Sequence, residues 1–433
     1  MSPTDVGIIG FVVLFLLFLS GMPIGFVMLL VGFLGYSYLV SITAGISVLG
    51  FSFYSTLAYY PLSVIPLFLL MGQFASSSGI VRDLYNTAYK WLGNMPGGLA
   101  IATIGGCAGF AALTGSSVAA SATMCVVALP QMLKHKYDSK LAVGTIAAGG
   151  TLGILIPPSI AFVIYAIVTK ESIGKLLLAG FIPGLLLAFL FMLTIYVRCR
   201  RNPDLGPPGP SVPLKEKILA LKDIWAALVL FLLVIGGLYL GIFVPSEAAA
   251  VGAFGALVIG LANRSLSRQD FFRGLFDTAR LTAMIFVIIF GANVFGYFVA
   301  RTKIPFLIVG FINGLAMHRL AILAVILFIY VLLGCVMEAY AMIVLTLPIY
   351  FPLILTLGFD PIWYGVLMVI MIEMGMITPP VGLNVYVVHG VARDVPLMDI
   401  FRGALPFVIA MVICIIILVA FPQVALFLPN TMK

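Results

Sequence analysis

Long apolar runs alternate with short polar punctuation along the whole chain. Val6 to Ser20 and Met22 to Val40 read as two membrane spans joined at Gly21-Met22-Pro23, and Tyr60 to Phe74 is a third apolar run that ends in Ser76-Ser77-Ser78-Gly79. Ile80 to Leu92 breaks the pattern: Val81, Leu84, Ala88 and Trp91 fall on one side, Arg82, Asp83 and Lys90 on another. That spacing fits an amphipathic helix lying in the membrane interface, or a plain cytoplasmic connector. Leu99 to Leu133 is apolar but cut at Gly115-Ser116-Ser117, leaving pieces too short to cross at the ~20 residues a span needs, so a re-entrant hairpin is expected. A basic stretch, residues 134–140, follows, then apolar residues 141–168 and a span from Ile173 to Val197. Arg198 to Lys222 is the one long polar loop, and Pro207-Pro208-Gly209-Pro210 forbids helix within it.

The second half repeats this order. Two spans, Ile224 to Phe243 and Ala248 to Ala262, meet at Val244-Pro245-Ser246-Glu247. Asn263 to Arg280 is basic and amphipathic, with a capping-box spacing at Ser267-x-x-Asp270, and a span from Leu281 to Ala300 follows. After a short run from Ile304 comes a second interrupted pair, residues 320–357, weakest at Gly334-Cys335. Residues 364–390 and a last span, Leu397 to Phe421, complete the pattern.

Two of these apolar runs carry a double proline, in Gly153-Ile154-Leu155-Ile156-Pro157-Pro158-Ser159 and in Gly375-Met376-Ile377-Thr378-Pro379-Pro380-Val381-Gly382. Proline has no N–H and clashes with the carbonyl four residues back, so the first pair frees the carbonyls of Gly153 and Ile154, and the second those of Gly375 and Met376. Non-helical backbone at membrane depth is tolerated only inside protein or along a cavity, and interrupted helices in matching halves point to a transporter's binding site. Superposing Pro157 on Pro379 also brings Gly153 onto Gly375 and, one residue out of register, Pro183 onto Pro406. If residues 134–140, 198–222 and 263–280 are all cytoplasmic, the two hairpins enter from opposite sides and the repeats are inverted, with both termini outside.

Composition fixes the class. With 63% hydrophobic and 9% charged residues the chain is a polytopic membrane protein, all α-helical, with about ten transmembrane helices plus two re-entrant hairpins expected. The net charge of +8 lies in short loops between apolar runs, as the positive-inside bias produces, and does not point to nucleic acid. Five cysteines show no CxxC or CxxH spacing and three histidines form no cluster, so neither a redox site nor a transition-metal site is expected. Met1 to Asp5 has no Lys or Arg and no small-residue cleavage site follows, so no cleaved signal peptide is expected.

A hard monovalent cation needs oxygen ligands, and helix breaks supply them as carbonyls. In the first repeat Ser116 and Ser117 can add hydroxyls to carbonyls near Gly153 and Ile156; the alternative is a small-residue packing segment. The second repeat offers Gly375, Ile377, Thr378 and Pro380, with Asn384 one turn beyond. Glu338, at apparent hairpin-tip depth, faces a substrate path, organises a polar network or caps the returning helix. Glu373 is open to a purely structural hydrogen-bonding role.

Gly115-Ser116-Ser117-Val118-Ala119-Ala120-Ser121-Ala122, Gly153-x-x-Ile156-Pro157-Pro158-Ser159, Gly334-x-x-x-Glu338 and above all Glu373-Met374-Gly375-x-Ile377-Thr378-Pro379-Pro380-Val381-Gly382-Leu383-Asn384 resemble the large membrane subunit of tripartite ATP-independent periplasmic (TRAP) transporters, over nearly the whole chain. The resemblance implies a Na⁺-coupled importer of small organic acids in the bacterial inner membrane, working by an elevator movement and needing no cofactor beyond Na⁺ as coupling ion. It also implies a small four-helix membrane subunit, here on a separate chain, and a soluble periplasmic binding protein that delivers the substrate. Carried onto this sequence, the first Na⁺ site uses Ser116, Ser117, Gly153, Ile156 and Pro158, and the second Gly375, Thr378 and Pro380. Glu338, Asn384 and Ser159 line the substrate path; Glu338 stands where the family often has Asp.

On this reading residues 1–60 are N-terminal scaffold helices, 61–197 the first repeat (hairpin 99–133, broken helix 141–168), 198–262 the loop and central helix pair, and 263–423 the second repeat (hairpin 320–357, broken helix 364–390). The competing functions are a carboxylate transporter that works without a binding protein, a membrane-embedded enzyme, and a channel. No nucleophile–base pair or metal cluster favours the enzyme, and paired breaks in inverted repeats suit alternating access better than a pore.

Overall fold

A computed structural model describes residues 1–305, 307, 310 and 317–432, and every regular element among them is helical. Among the described residues seven helices are long and apolar enough to cross a membrane, or up to nine if each bent pair is one span; shorter apolar helices such as Pro3–Leu19, Ile24–Leu39 and Ile42–Leu57 add to these. Most of the short run expected from Ile304 lies outside the described residues.

Short polar residues set many of the helix starts. Ser2, Ser41, Ser172, Ser267 and Asp360 each accept a backbone N–H from the first turn of the helix that follows, which satisfies a donor that the helix leaves unpaired. The Ser267 spacing works as its sequence suggests, with the Asp270 N–H donating to the Ser267 hydroxyl at 3.1 Å. Ile42–Leu57 is a helix that the apolar pattern alone passes over, because Ser47, Ser52, Ser55 and Thr56 dilute it. A terminal helix, Gln423–Thr431, also follows the last expected span.

The amphipathic segment 263–280 and the span Leu281 to Ala300 are not separate elements. Arg268–Thr302 is one helix of 35 residues, since no proline or left-handed glycine stands between Arg280 and Leu281 to end it. Ile80–Leu92, by contrast, is a separate helix after Gly79, whose φ of 82° makes the turn. Its outer end is tied to the long loop: the Thr87 hydroxyl donates to the Ala220 carbonyl at 3.0 Å, and the Trp91 indole N–H to the Lys217 carbonyl at 2.9 Å.

Two groups of helices can be traced by packing. In one, Ile24–Leu39 lies along Arg268–Thr302, and Val64–Ser77 against Pro245–Ala262. In the other, the first hairpin (Gly98–Thr114 and Ser117–Lys134) embraces Ser139–Leu155, the first half of a broken helix that continues, bent by 41°, as Ile160–Thr169, and Ser139–Leu155 in turn packs on Leu397–Ala420. The second hairpin (Arg319–Gly334 and Ala339–Thr356) holds Pro361–Gly375, the first half of the second broken helix, and its returning arm also contacts Ile160–Thr169, while the second half, Leu383–Val391, packs on Ser117–Lys134 and Ser139–Leu155. Buried tyrosines brace that junction, with Tyr364 and Thr346 hydroxyls both bonded to the Tyr330 hydroxyl and the Tyr165 hydroxyl donating to the Pro361 carbonyl at 2.6 Å. Lys140 and Asp399 pair at 3.3 Å, which sets the start of the last long helix level with the basic stretch 134–140.

Lipid tails are as apolar as leucine, so membrane helices gain little by hiding side chains from them and associate through close packing. Glycine makes that possible between Ile24–Leu39 and Arg268–Thr302: a Cβ on Gly32 would lie 2.7 Å from the Phe295 backbone nitrogen, whereas one on Gly296 would meet nothing within 4 Å. Gly32→Val is therefore expected to destabilise the protein by about 1–3 kcal/mol through overpacking. Its melting temperature in detergent falls while that of Gly296→Ala stays unchanged; equal melting temperatures would remove this interface from the account.

Candidate functional site

The tip at Gly115-Ser116 docks on the break at Pro157-Pro158, and the tip at Gly334-Cys335 on the break at Pro379-Pro380. In the first repeat Gly98–Thr114 ends at Gly115 with φ of 63°, and Ser116 starts the returning arm, its hydroxyl accepting the Ala119 N–H at 3.3 Å. A Cβ on Gly153 would lie 2.6 Å from the Ser116 carbonyl oxygen, and one on Gly115 would lie 2.7 Å from the Pro158 carbonyl oxygen. Backbone therefore meets backbone here, and only glycine on both sides allows it. Ser116, Gly153 and Pro158 come together, while the Ser116 hydroxyl is engaged in capping its own helix. Ser159 caps the second half of the broken helix, accepting the Phe162 N–H at 3.3 Å.

The helix Ser139–Leu155 ends with the Ile156 N–H on the Leu152 carbonyl at 3.0 Å. Because Pro157 and Pro158 supply no N–H, the carbonyls of Gly153 and Ile154 accept no backbone hydrogen bond among the described residues. The whole segment 151–160 is buried. Two carbonyl oxygens are thus left without backbone donors in a buried segment.

The second repeat handles its break differently. The sequence leaves the Gly375 and Met376 carbonyls free, yet the Thr378 N–H donates to Gly375 at 3.0 Å and the Asn384 N–H to Met376 at 3.1 Å. The Thr378 hydroxyl donates to the Met374 carbonyl at 2.6 Å. Gly382, with φ of 62°, donates its N–H to the Cys335 carbonyl at the second hairpin tip at 3.2 Å. Gly375 lies against Gly334 of the same tip, where an added Cβ would come within 2.6 Å of the Gly334 Cα. Pro379, Pro380 and Val381 are exposed, in contrast to the sealed Pro157-Pro158-Ser159.

Glu338 begins the returning arm of the second hairpin, and its carboxylate accepts the Ala341 N–H at 3.4 Å, so it caps that helix while remaining half-buried. The repeats also meet each other. Ser117 on the first tip lies 4.0 Å from the Met376 sulfur and beside the Glu373 carboxylate. Tyr340, just past Glu338, lies beside the Ser116 side chain. Asn384, fully buried, donates its side-chain N–H to Glu373 Oε2 at 3.4 Å. Tyr340 and the carbonyls of Cys335 and Met374 were not distinguished by the sequence. Tyr340 had a signal in its place two residues after the intramembrane Glu338, whereas nothing in residue type marks a carbonyl.

The family model for the DctM component of tripartite ATP-independent periplasmic transporters matches residues 11–424. The chain is 38% identical over 383 residues to the C4-dicarboxylate TRAP transporter large permease protein DctM of Pseudomonas aeruginosa, an alignment covering 88% of this chain and 89% of the relative. It is 32% identical to the sialic acid TRAP transporter large permease protein SiaM of Vibrio cholerae, with 96% of each covered. The crystal structure of the Alcanivorax borkumensis YdaH transporter has a similar fold, with a TM-score of 0.63 at 16% identity, covering 88% of this chain and 90% of the other. The chain belongs to the DctM family, the large permease subunits of the TRAP transporters, which are transport proteins and not enzymes.

Proposed function

We propose that this protein is a secondary active transporter that uses Na⁺ to drive import of a small organic acid across the bacterial inner membrane. The observation that carries the reading is the pair of helix breaks, each docked on a hairpin tip, with the Gly153 and Ile154 carbonyls left without backbone donors in a buried segment. A buried carbonyl needs a partner, and a hard cation with carbonyl ligands is what broken transporter helices hold. The first Na⁺ site is formed by Ser116, Ser117, Gly153, Ile156 and Pro158, and the second by Gly375, Thr378 and Pro380. Carbonyl oxygens have two lone pairs, so the hydrogen bonds onto Met374 and Gly375 leave room for an ion. Glu338, Asn384 and Ser159 belong to the substrate path, which in the state described is closed over Asn384 and Ser159.

The hairpins and broken helices, with Ile173–Arg201 and Leu397–Ala420, form the moving part of an elevator built from two inverted repeats. The N-terminal helices, the central pair and Arg268–Thr302 form its static scaffold. Support comes from the unequal breaks: one is sealed and the other exposed, as alternating access requires of any single state. A periplasmic binding protein delivers the acid, and a small four-helix subunit binds the scaffold side. The names of the relatives, one for C4-dicarboxylates and one for sialic acid, favour a carboxylate, and a dicarboxylate first.

Uptake of a C4-dicarboxylate into proteoliposomes holding the complete transporter is expected to need an inward Na⁺ gradient. Replacing Na⁺ with K⁺ at a fixed membrane potential abolishes it, while uptake sustained by a proton gradient alone would contradict the Na⁺ reading. The two sites can be tested separately. Gly153→Ala pushes the Ser116 carbonyl aside, and Thr378→Val removes the hydroxyl held on Met374. Each is expected to weaken Na⁺ binding by about 1–3 kcal/mol, raising the half-saturating Na⁺ roughly tenfold, with uptake recovered at high Na⁺. Thr378→Ser behaves as wild type, and an unchanged Na⁺ dependence in Gly153→Ala would assign the first tip to packing alone.

A further inference from the structure

Glu373 is buried to 1% exposure inside the membrane-embedded bundle, two residues before Gly375. The Asn384 amide donates to its Oε2 at 3.4 Å, while Oε1 and the Asn384 Oδ1 have no partner among the described residues. The ion pairs found among those residues both involve Asp399, so no Lys, Arg or His among the described residues pairs with this carboxylate. The other charged group near it is Glu338, of the same sign, and Tyr340 lies close to both. A carboxyl group buried in a membrane segment either takes up a proton or needs a counter-charge, and its retention there points to a function.

Its position supplies the explanation. Glu373 belongs to the break proposed for the second Na⁺ and also lies beside Ser117, on the tip proposed for the first. Asn384 bridges it to the far half of the broken helix, through its side chain on Glu373 and its backbone N–H on the Met376 carbonyl. We propose that Glu373 is the shared counter-charge of the two Na⁺ sites, attracting both ions through space, and that Asn384 is the positioning residue that holds its carboxylate between them. Two cations close together repel each other in a medium of low dielectric, and an anion between them offsets that repulsion. Loading of one Na⁺ fixes the carboxylate and favours the second, so the two ions bind cooperatively.

This rests on the Na⁺-coupled reading, and the experiment separates the two. Initial uptake rates are measured against Na⁺ concentration at fixed membrane potential, in proteoliposomes holding the complete transporter. For the wild type a sigmoidal curve with a Hill coefficient above one is expected. Glu373→Gln, which keeps the shape and removes the charge, raises the half-saturating Na⁺ at least tenfold and brings the Hill coefficient down to one. Glu373→Asp, which keeps the charge, preserves the sigmoidal curve. Wild-type uptake that ignores Na⁺ would overturn the coupling ion itself. A Na⁺-dependent wild type with an unchanged curve in Glu373→Gln, or an Asp variant that loses cooperativity as fully as the Gln variant, would overturn the shared counter-charge alone. Should Glu373→Gln fail to fold, the Na⁺ curve of Glu373→Asp still decides, since loss of its sigmoidal form rejects the proposal.

Discussion

No water is at hand in the membrane interior, so a backbone carbonyl that loses its helical N–H must find another partner within the protein. The two double prolines impose that condition at matching places, and the surrounding structure is arranged to meet it. At the second break the partners are built in: Thr378 supplies both its hydroxyl and its N–H, and Asn384 supplies its N–H, so three successive carbonyls from Met374 to Met376 are each bonded. Gly382 turns the chain in the left-handed region so that the second half-helix can restart against the Cys335 carbonyl. The spacing of threonine, glycine and asparagine around Pro379-Pro380 thus has a mechanical reason. At the first break no such donors are found among the described residues, and the carbonyls of Gly153 and Ile154 stay without backbone partners.

The rest of the bundle follows from bringing these breaks and the hairpin tips into register. Gly115 and Gly153 let one tip touch its break, Gly334 and Gly375 do so for the other, and Gly144 against Gly403 draws the last long helix onto the first broken one. The Lys140–Asp399 pair stands beside that last crossing, with side chains partly open to water, so its contribution to stability is small and its main effect is on register. Across the middle, Ser117 reaches Met376 and Glu373, and Tyr340 reaches Ser116, so each tip contacts the opposite repeat as well as its own.

Much of this was legible in the sequence because proline and glycine act locally. The breaks, the tip at Gly115-Ser116, the separate helix Ile80–Leu92 and the irregular stretch around Pro207 follow from residues whose backbone preferences tolerate little else. What was not legible depends on partners far along the chain. The helix Ile42–Leu57 is too rich in serine to stand out by hydropathy, and part of what secures it is the Asn293 side chain donating to Thr56 at 3.1 Å, 237 residues away. The continuity of Arg268–Thr302 was hidden because its polarity changes from amphipathic to apolar without any change in backbone. The Ser116 hydroxyl, read as an ion ligand or packing group, turns out to cap its helix, and the carbonyl of the same residue is the atom that faces Gly153. Residue types announce side-chain chemistry, whereas this site is made largely of backbone.

The central claim is that the two breaks hold the coupling ions. Cryo-EM maps of the complete transporter at a resolution that shows bound ions, recorded in Na⁺ and again with choline in its place, test it most directly. In Na⁺ the account places one ion against the carbonyls of Ser116 and Gly153 and a second against Gly375 and Thr378, and both vanish in choline. Maps from transport-competent protein in saturating Na⁺ that leave both breaks empty, or that hold the ions elsewhere, would contradict it.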